Sequence, residues 1–186
     1  LRALRRRWAA PHRLIGVMQP YVADVFAGTN WLDEVVHFHR RSQQPRFRAA
    51  SVIDQLQHRQ LDAMVLTTNS LSSAWLAWRT GATQRIGYAR NGRSPLLTHR
   101  LHAPREGWRF KPVSGVDYYL ELAYALDCLQ EPRRLELATT EQDESAADEV
   151  WQKFGLDFSP RVAVLSTGGA FGAAKRWPDE SFAALA

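Results

Sequence analysis

Short apolar runs alternate with helix-spaced apolar positions along most of this 186-residue chain. Runs at 14–18, 35–38, 64–66 and 85–88 have the length of strands, and the spacing between them predicts helices near 22–28, 50–59 and 71–79. A repeat of this kind implies an α/β fold: a parallel sheet with helices on both faces, and ligands beyond the carboxyl ends of the strands. A longer helical pattern runs from 116 to 129, with Tyr119, Leu122, Ala123 and Leu126 recurring on one face, and another is predicted at 144–154. The opening residues read as the tail of an amphipathic helix, with Leu1, Leu4 and Trp8 on one side. The Pro132-Arg133-Arg134 stretch and the polar run at 139–145 approach an interdomain linker, which places a boundary within 157–160 and divides the chain into 1–157 and 158–186.

Composition narrows the class. With 45% hydrophobic and 23% charged residues the chain is globular, and no apolar stretch reaches the roughly 18–20 residues of a spanning helix. The run at 14–17 is too short for a signal-peptide core, so the expected location is cytoplasmic. One cysteine, Cys128, excludes an internal disulfide framework, and its place in an apolar helical pattern reads as core. A formal charge of +5 favours anionic partners: a phosphorylated substrate, an acidic membrane surface or nucleic acid. The arginine clusters at 5–7, 40–41 and 46–48 admit a basic α/β module that holds phosphate backbones without chemistry. Against nucleic acid, the seven tryptophans are dispersed, Trp75 and Trp78 occupy apolar helical positions as core residues do, and no nucleic-acid-binding motif is present. His37 and His39 share a strand face, but two imidazoles without a completing Cys, Asp or Glu do not make a metal site.

The densest chemical signal lies near the end. An apolar run at 162–165 predicts a strand that passes into Ser166, Thr167, Gly168 and Gly169, then through Gly172 to Lys175, Arg176, Trp177 and Pro178, where a helix begins. Glycines let a ligand approach backbone N–H groups, a helix N-terminus adds a favourable dipole, and Lys175 adds a full charge, so the segment suits a phosphate or diphosphate. It is neither a P-loop, because Ala174 precedes Lys175 and Arg176 follows it, nor a dinucleotide fingerprint, because the glycines are wrongly spaced. By spacing alone a solvated turn serves as well as an anion site.

The run Gly168-Gly169-Ala170-Phe171-Gly172-Ala173-Ala174-Lys175-Arg176-Trp177-Pro178 resembles the signature of the ADP-heptose:lipopolysaccharide heptosyltransferases, glycosyltransferase family 9, particularly their heptosyltransferase II branch. The same family is matched in order by Leu66 to Ser70, by Trp75-Leu76-Ala77, by Arg85 to Arg93, by Leu96-Leu97-Thr98 and by Val116 to Leu120. The resemblance implies a two-domain GT-B fold, with an acceptor-side Rossmann-like domain that lacks its first strand here, followed by the beginning of a donor-binding Rossmann-like domain. It further implies inverting, metal-independent transfer of heptose from ADP-heptose to the lipopolysaccharide inner core, with no cofactor beyond the donor substrate and no nucleic acid. Another nucleotide sugar on the same fold is the near alternative.

By the same resemblance, Lys175 meets the donor diphosphate with Ser166, Thr167, Gly168 and Gly169, and Thr167 stands where the family usually has Pro. The family's general base, an Asp in a Gly-Asp loop, falls ahead of Leu1, so no residue here takes that role and the chain alone is expected to be inactive. On the acceptor side, Thr68, Asn69 and Ser70 leave a strand at the ligand edge. Asn69 or Ser70 serves equally as a helix N-cap. In the basic segment at 85–100, a solvated hairpin turning at Asn91-Gly92 stands beside the reading that Arg90 or Arg93 pairs with acceptor carboxylate or phosphate.

Overall fold

The computed structural model describes residues 1–156, 161–166 and 177–185. The chain divides into two compact units, Leu1–Thr139 and Thr140–Ala186. This division falls before the helix predicted at 144–154, whereas the polar pattern of the sequence places a boundary after it.

The first unit opens with α1 (Arg2–Arg7), followed by β1 (Ile15–Met18), the short α2 (Pro20–Ala23) continued by a 3-10 turn, and β2 (Glu34–His37). Next come α3 (Ala49–Gln57), β3 (Ala63–Val65), α4 (Leu71–Arg79), β4 (Gln84–Tyr88) and β5 (His99–Leu101). A two-residue ribbon, β6 (Arg105–Glu106) with β7 (Arg109–Phe110), precedes α5 (Gly115–Tyr124). Each predicted strand and helix of the βα repeat is present, within a few residues of its expected ends.

The parallel pairing is also as expected, but it is built as two ladders, β1-β2 and β3-β4-β5. Residues 85–100 do not form a hairpin: Ile86 pairs with His99 and Tyr88 with Leu101 in parallel, so the connection crosses over rather than folding back. The connecting residues 89–98 include a 3-10 turn at Ser94–Leu96 ahead of β5.

Helices cover both faces of β3-β4-β5. Ile86 and Tyr88, two apart and therefore on one face, pack against Leu122 of α5. On the other face the small residues Ala74 and Ala77 of α4 approach Leu66 and Leu97 closely. Val52, Ile53 and Leu56 of α3 close a second core over Val36, Ile15 and Val17. Burial of each such branched side chain stabilises the fold by about 1.5–3 kcal/mol.

Three expectations are corrected. Trp75 and Trp78 are 41% and 50% exposed, because Ala74, Leu76 and Ala77 are the residues of α4 that turn inward. The helix predicted to reach residue 129 stops at Tyr124, where Asp127 takes a positive φ of 56°; Cys128 is nonetheless buried, beside Ala3 and Ala123. Residues 161–166 carry no strand and are exposed, since no strand among the described residues offers them a ladder.

The second unit contains α6 (Glu141–Lys153) and α7 (Asp179–Leu185). A reciprocal capping box starts α6: Thr140 Oγ1 accepts from the Asp143 N–H, and the Asp143 carboxylate accepts from the Thr140 N–H at 2.8 Å. The helix expected after Pro178 is α7.

Candidate functional site

The carboxyl ends of β3 and β4 bring together the segments singled out on the acceptor side. Beyond β3, Thr67 and Thr68 are exposed and Asn69 is half-buried. Ser70 caps α4, its Oγ accepting from the Ser73 N–H at 3.1 Å. Of the two candidate caps, Ser70 takes that work and leaves the Asn69 side chain free for another.

Beyond β4 the chain turns through Asn91 and Gly92, both at positive φ of 53° and 73°, as the Asn-Gly pair predicts. That turn drives Arg93 back beneath the loop. Arg93 is fully buried rather than exposed at the sheet edge. Its Nε donates to the Tyr88 carbonyl at 2.8 Å, Nη1 donates to the Thr68 carbonyl, and Nη2 donates to Asn69 Oδ1 at 3.0 Å. Sequence reading places a charged, loop-borne arginine at the surface; here it is the fastener that ties the end of β3 to the end of β4.

No carboxylate among the described residues forms an ion pair with that cation. Burial pushes its pKa down, partly opposed by Tyr118 and reinforced by the nearby Arg90 charge. Burying a lone guanidinium costs several kcal/mol, and three charge-assisted hydrogen bonds at about 1.5–3 kcal/mol each are of the size needed to offset it. Gly87 is part of the same arrangement, because a Cβ there would stand 2.9 Å from Arg93 Nη2.

Arg90 has a different environment. It is half-buried, with Cζ 4.0 Å above the Phe110 ring, and Arg105 approaches the same ring at 4.6 Å. Its Nε is buried without a hydrogen-bond partner, and it takes part in none of the ion pairs found among the described residues. Of the two arginines proposed to meet an anion, Arg90 is the one whose guanidinium, though packed on Phe110, makes no side-chain hydrogen bond or ion pair among the described residues.

Two residues that the sequence marks only as scaffold complete the edge. Tyr118, in the first turns of α5, stacks on Tyr88 with ring centroids 3.9 Å apart, and the Tyr88 hydroxyl donates to the Tyr118 carbonyl at 2.7 Å. Burial pushes the Tyr88 hydroxyl up to about 12. Asn69 Nδ2 donates to the Tyr118 hydroxyl at 3.0 Å, while Asn91 Nδ2 donates to the Asn69 carbonyl at 2.9 Å. A cleft of about 250 Å³ lies here, lined by Tyr88, Tyr118, His102, Asp117 and Glu121 among others. Asp117 is paired with Arg133 at 2.8 Å. The one sequence sign of this role is the Asp117-Tyr118 pair at the start of a helix.

The donor-side residues Thr167, Gly168, Gly169 and Lys175 lie outside the described residues; Ser166 is exposed and in no regular element. His37 and His39 each keep a buried Nδ1 without a partner, and among the described residues no group of three or more His, Cys, Asp or Glu side chains converges. No helix among the described residues is long and apolar enough to cross a membrane.

The model of glycosyltransferase family 9 (heptosyltransferase) matches residues 49–186. Among solved structures, the ADP-heptose lps heptosyltransferase II of E. coli superposes with a TM-score of 0.68 at 23% identity, covering 99% of this chain and 54% of that one. The family 9 glycosyl transferase of Veillonella parvula superposes with a TM-score of 0.71 at 19% identity, covering 99% and 52%. This chain therefore spans about half the length of each. A comparison with curated proteins gave no significant match.

Proposed function

The chain belongs to glycosyltransferase family 9, the heptosyltransferases, and from that premise we propose that it forms the acceptor-side domain, residues 1–157, and the beginning of the donor-binding domain, residues 158–186, of a GT-B enzyme. The reaction is transfer of heptose from ADP-heptose to the lipopolysaccharide inner core at the inner face of the cytoplasmic membrane, inverting and independent of metal or other cofactor. The observation that carries the reading is the family match across 49–186, which includes the run from Gly168 to Pro178.

In this chemistry a carboxylate takes the proton of the acceptor hydroxyl while cations and backbone N–H groups stabilise the departing ADP. Lys175, with Ser166, Thr167, Gly168 and Gly169, takes the second part. On the acceptor side Arg90 supplies the cation, with Thr68 and the Asn69 loop held beside it by Arg93. A guanidinium desolvated on one face by an aromatic ring pairs more strongly with carboxylate or phosphate than a fully hydrated one.

The test is a transfer assay on the complete gene product with ADP-heptose, a heptose-deficient lipopolysaccharide acceptor and excess chelator. Product of inverted anomeric configuration, formed at an undiminished rate under chelation, is expected. Transfer from a different nucleotide sugar in preference to ADP-heptose would reject the donor assignment, and loss of the reaction under chelation would reject metal independence.

A further inference from the structure

The hydrogen-bond directions around the cleft at the ends of β4 and β5 are fixed by Arg93. A guanidinium only donates, so the Asn69 atom that it faces at 3.0 Å is the carbonyl Oδ1. The amide nitrogen of Asn69 is thereby turned onto Tyr118 and donates to its hydroxyl oxygen. A tyrosine hydroxyl that accepts on oxygen retains one proton to give, and no hydrogen bond donated by the Tyr118 hydroxyl is found among the described residues. Tyr88 cannot take that proton, because its own hydroxyl is spent on the Tyr118 carbonyl. Nor can the Tyr118 ring swing aside, since it is stacked on Tyr88 at 3.9 Å. The relay from Arg93 through Asn69 thus leaves a polarised O–H donor on a residue that lines the cleft.

The other lining groups select what that donor meets. Asp117 and Glu121 contribute carboxylates, which oppose an anion and accept from hydroxyl groups; Leu101, Pro104 and Val113 contribute apolar surface. A cation is disfavoured by the Tyr118 donor and by Arg133, which already pairs with Asp117. The chemistry that satisfies a lone O–H donor, carboxylate acceptors and an apolar wall together is a neutral polyhydroxylated ring. We propose that this cleft is a saccharide subsite, in which Tyr118 donates to a sugar oxygen and Glu121 and Asp117 accept from sugar hydroxyls. It rests on the glycosyltransferase reading only for the expectation that a sugar reaches this edge.

The experiment is an NMR titration of the isotope-labelled complete gene product with methyl α-D-mannopyranoside, and separately with inorganic phosphate and magnesium chloride. Saturable shifts of Tyr118, Glu121 and His102 with the glycoside are expected. Tyr118→Phe keeps the ring stack and removes the donor, and should weaken the titration by about fivefold, the size of one neutral hydrogen bond. Asn69→Asp is the sharper variant: a carboxylate at 69 accepts the Tyr118 proton and turns it away from the cleft, while Arg93 gains an ionic partner. Binding should fall comparably with no drop in unfolding temperature, an outcome that a merely structural Asn69 does not produce. Wild-type affinity in either variant, or a stronger response to phosphate or magnesium than to the glycoside, would overturn the subsite. Because no transfer is measured, failure here leaves the heptosyltransferase reading untouched, and a failed transfer assay leaves the subsite standing.

Discussion

Arg93 and Gly87 give the most direct test of the network at the sheet edge. In Arg93→Ala, Asn69 Oδ1 loses its donor, while the Tyr88 carbonyl keeps the Arg90 N–H at 2.9 Å and the Thr68 carbonyl keeps only the Ser73 hydroxyl at 3.4 Å. An acceptor left unpaired or weakly paired costs about 1–3 kcal/mol, and relief from burying the cation returns part of the sum, so a net loss of about 2–4 kcal/mol is expected. Gly87→Ala inserts a Cβ 2.9 Å from Arg93 Nη2 and 3.3 Å from Leu66 Cβ. The guanidinium is pinned by three bonds and cannot yield cheaply, so this overpacking should cost about 1–3 kcal/mol.

In the double variant the nearest clash has gone. Only the Leu66 contact remains, and the roughly 0.5–1 kcal/mol by which alanine is favoured over glycine within a strand works in the opposite direction. Gly87→Ala should therefore become nearly neutral in the Arg93→Ala background, giving a coupling of about 1–2 kcal/mol. Urea unfolding followed by circular dichroism, with midpoints compared at constant slope, measures all four corners of the cycle. Additivity within about 0.5 kcal/mol would refute the claim that the glycine is there to admit the arginine.

Other consequences are quicker to check. Lys175→Ala in the complete enzyme should lower turnover by roughly ten- to a thousandfold with ADP-heptose, as loss of one strong charge contact to a leaving group does; unchanged kinetics would remove Lys175 from the donor site. Trp78→Ser, at an exposed position, should shift stability by no more than about 0.5 kcal/mol, while Ala77→Leu on the buried face should cost about 1–3 kcal/mol by chemical denaturation. The Arg59 guanidinium, with Arg13 adding to it, holds the Glu34 carboxyl below its usual range. A depressed carboxyl stabilises above its unfolded pKa and loses that contribution as pH falls through the folded one. The stability gap between wild type and Glu34→Gln should therefore close as the solution is acidified below about pH 4.3, and a gap that widens would reverse the sign. Thr140→Ala should cost α6 about 1 kcal/mol of helix stability, read as lost helical ellipticity on mild heating.

The βα order was legible because apolar periodicity is a local property, and residues 52, 53, 56, 86 and 122 are buried as their spacing predicts. Trp75 and Trp78 were misread for a physical reason: periodicity marks an apolar stripe, but the inward face of α4 must be small to approach β3 and β4, and its alanines meet that need better than indoles. The parallel crossover at 89–98 was hidden because Asn-Gly signals a turn without saying where the chain goes next. Arg93 was placed at the surface by its charge, since nothing local announces that carbonyls from 68 and 88 converge on it. Tyr118 was hidden because the helical pattern picked out its neighbour Tyr119, which is exposed, and because its partner Asn69 is 49 residues away.

A buried cation without a counter-ion among the described residues is a costly way to join two strand ends, and an apolar residue of similar volume would pack there at less risk. What the apolar residue cannot do is set the direction of neighbouring hydrogen bonds. Arg93 orients the Asn69 amide, which in turn orients the Tyr118 hydroxyl, so one buried charge determines the polarity of a donor at the cleft. The same charge stands beside Arg90, and each cation disfavours the other unless an anion intervenes. A ligand carboxylate or phosphate at Arg90 would relieve that repulsion, while a sugar hydroxyl at Tyr118 would use the polarised donor. Both gains run through Arg93, so Arg93→Lys, which keeps the charge but loses the planar fork, should preserve binding of an anion at Arg90 better than binding of a glycoside at Tyr118. Equal loss at the two positions would mean that Arg93 acts only by holding the loop in place.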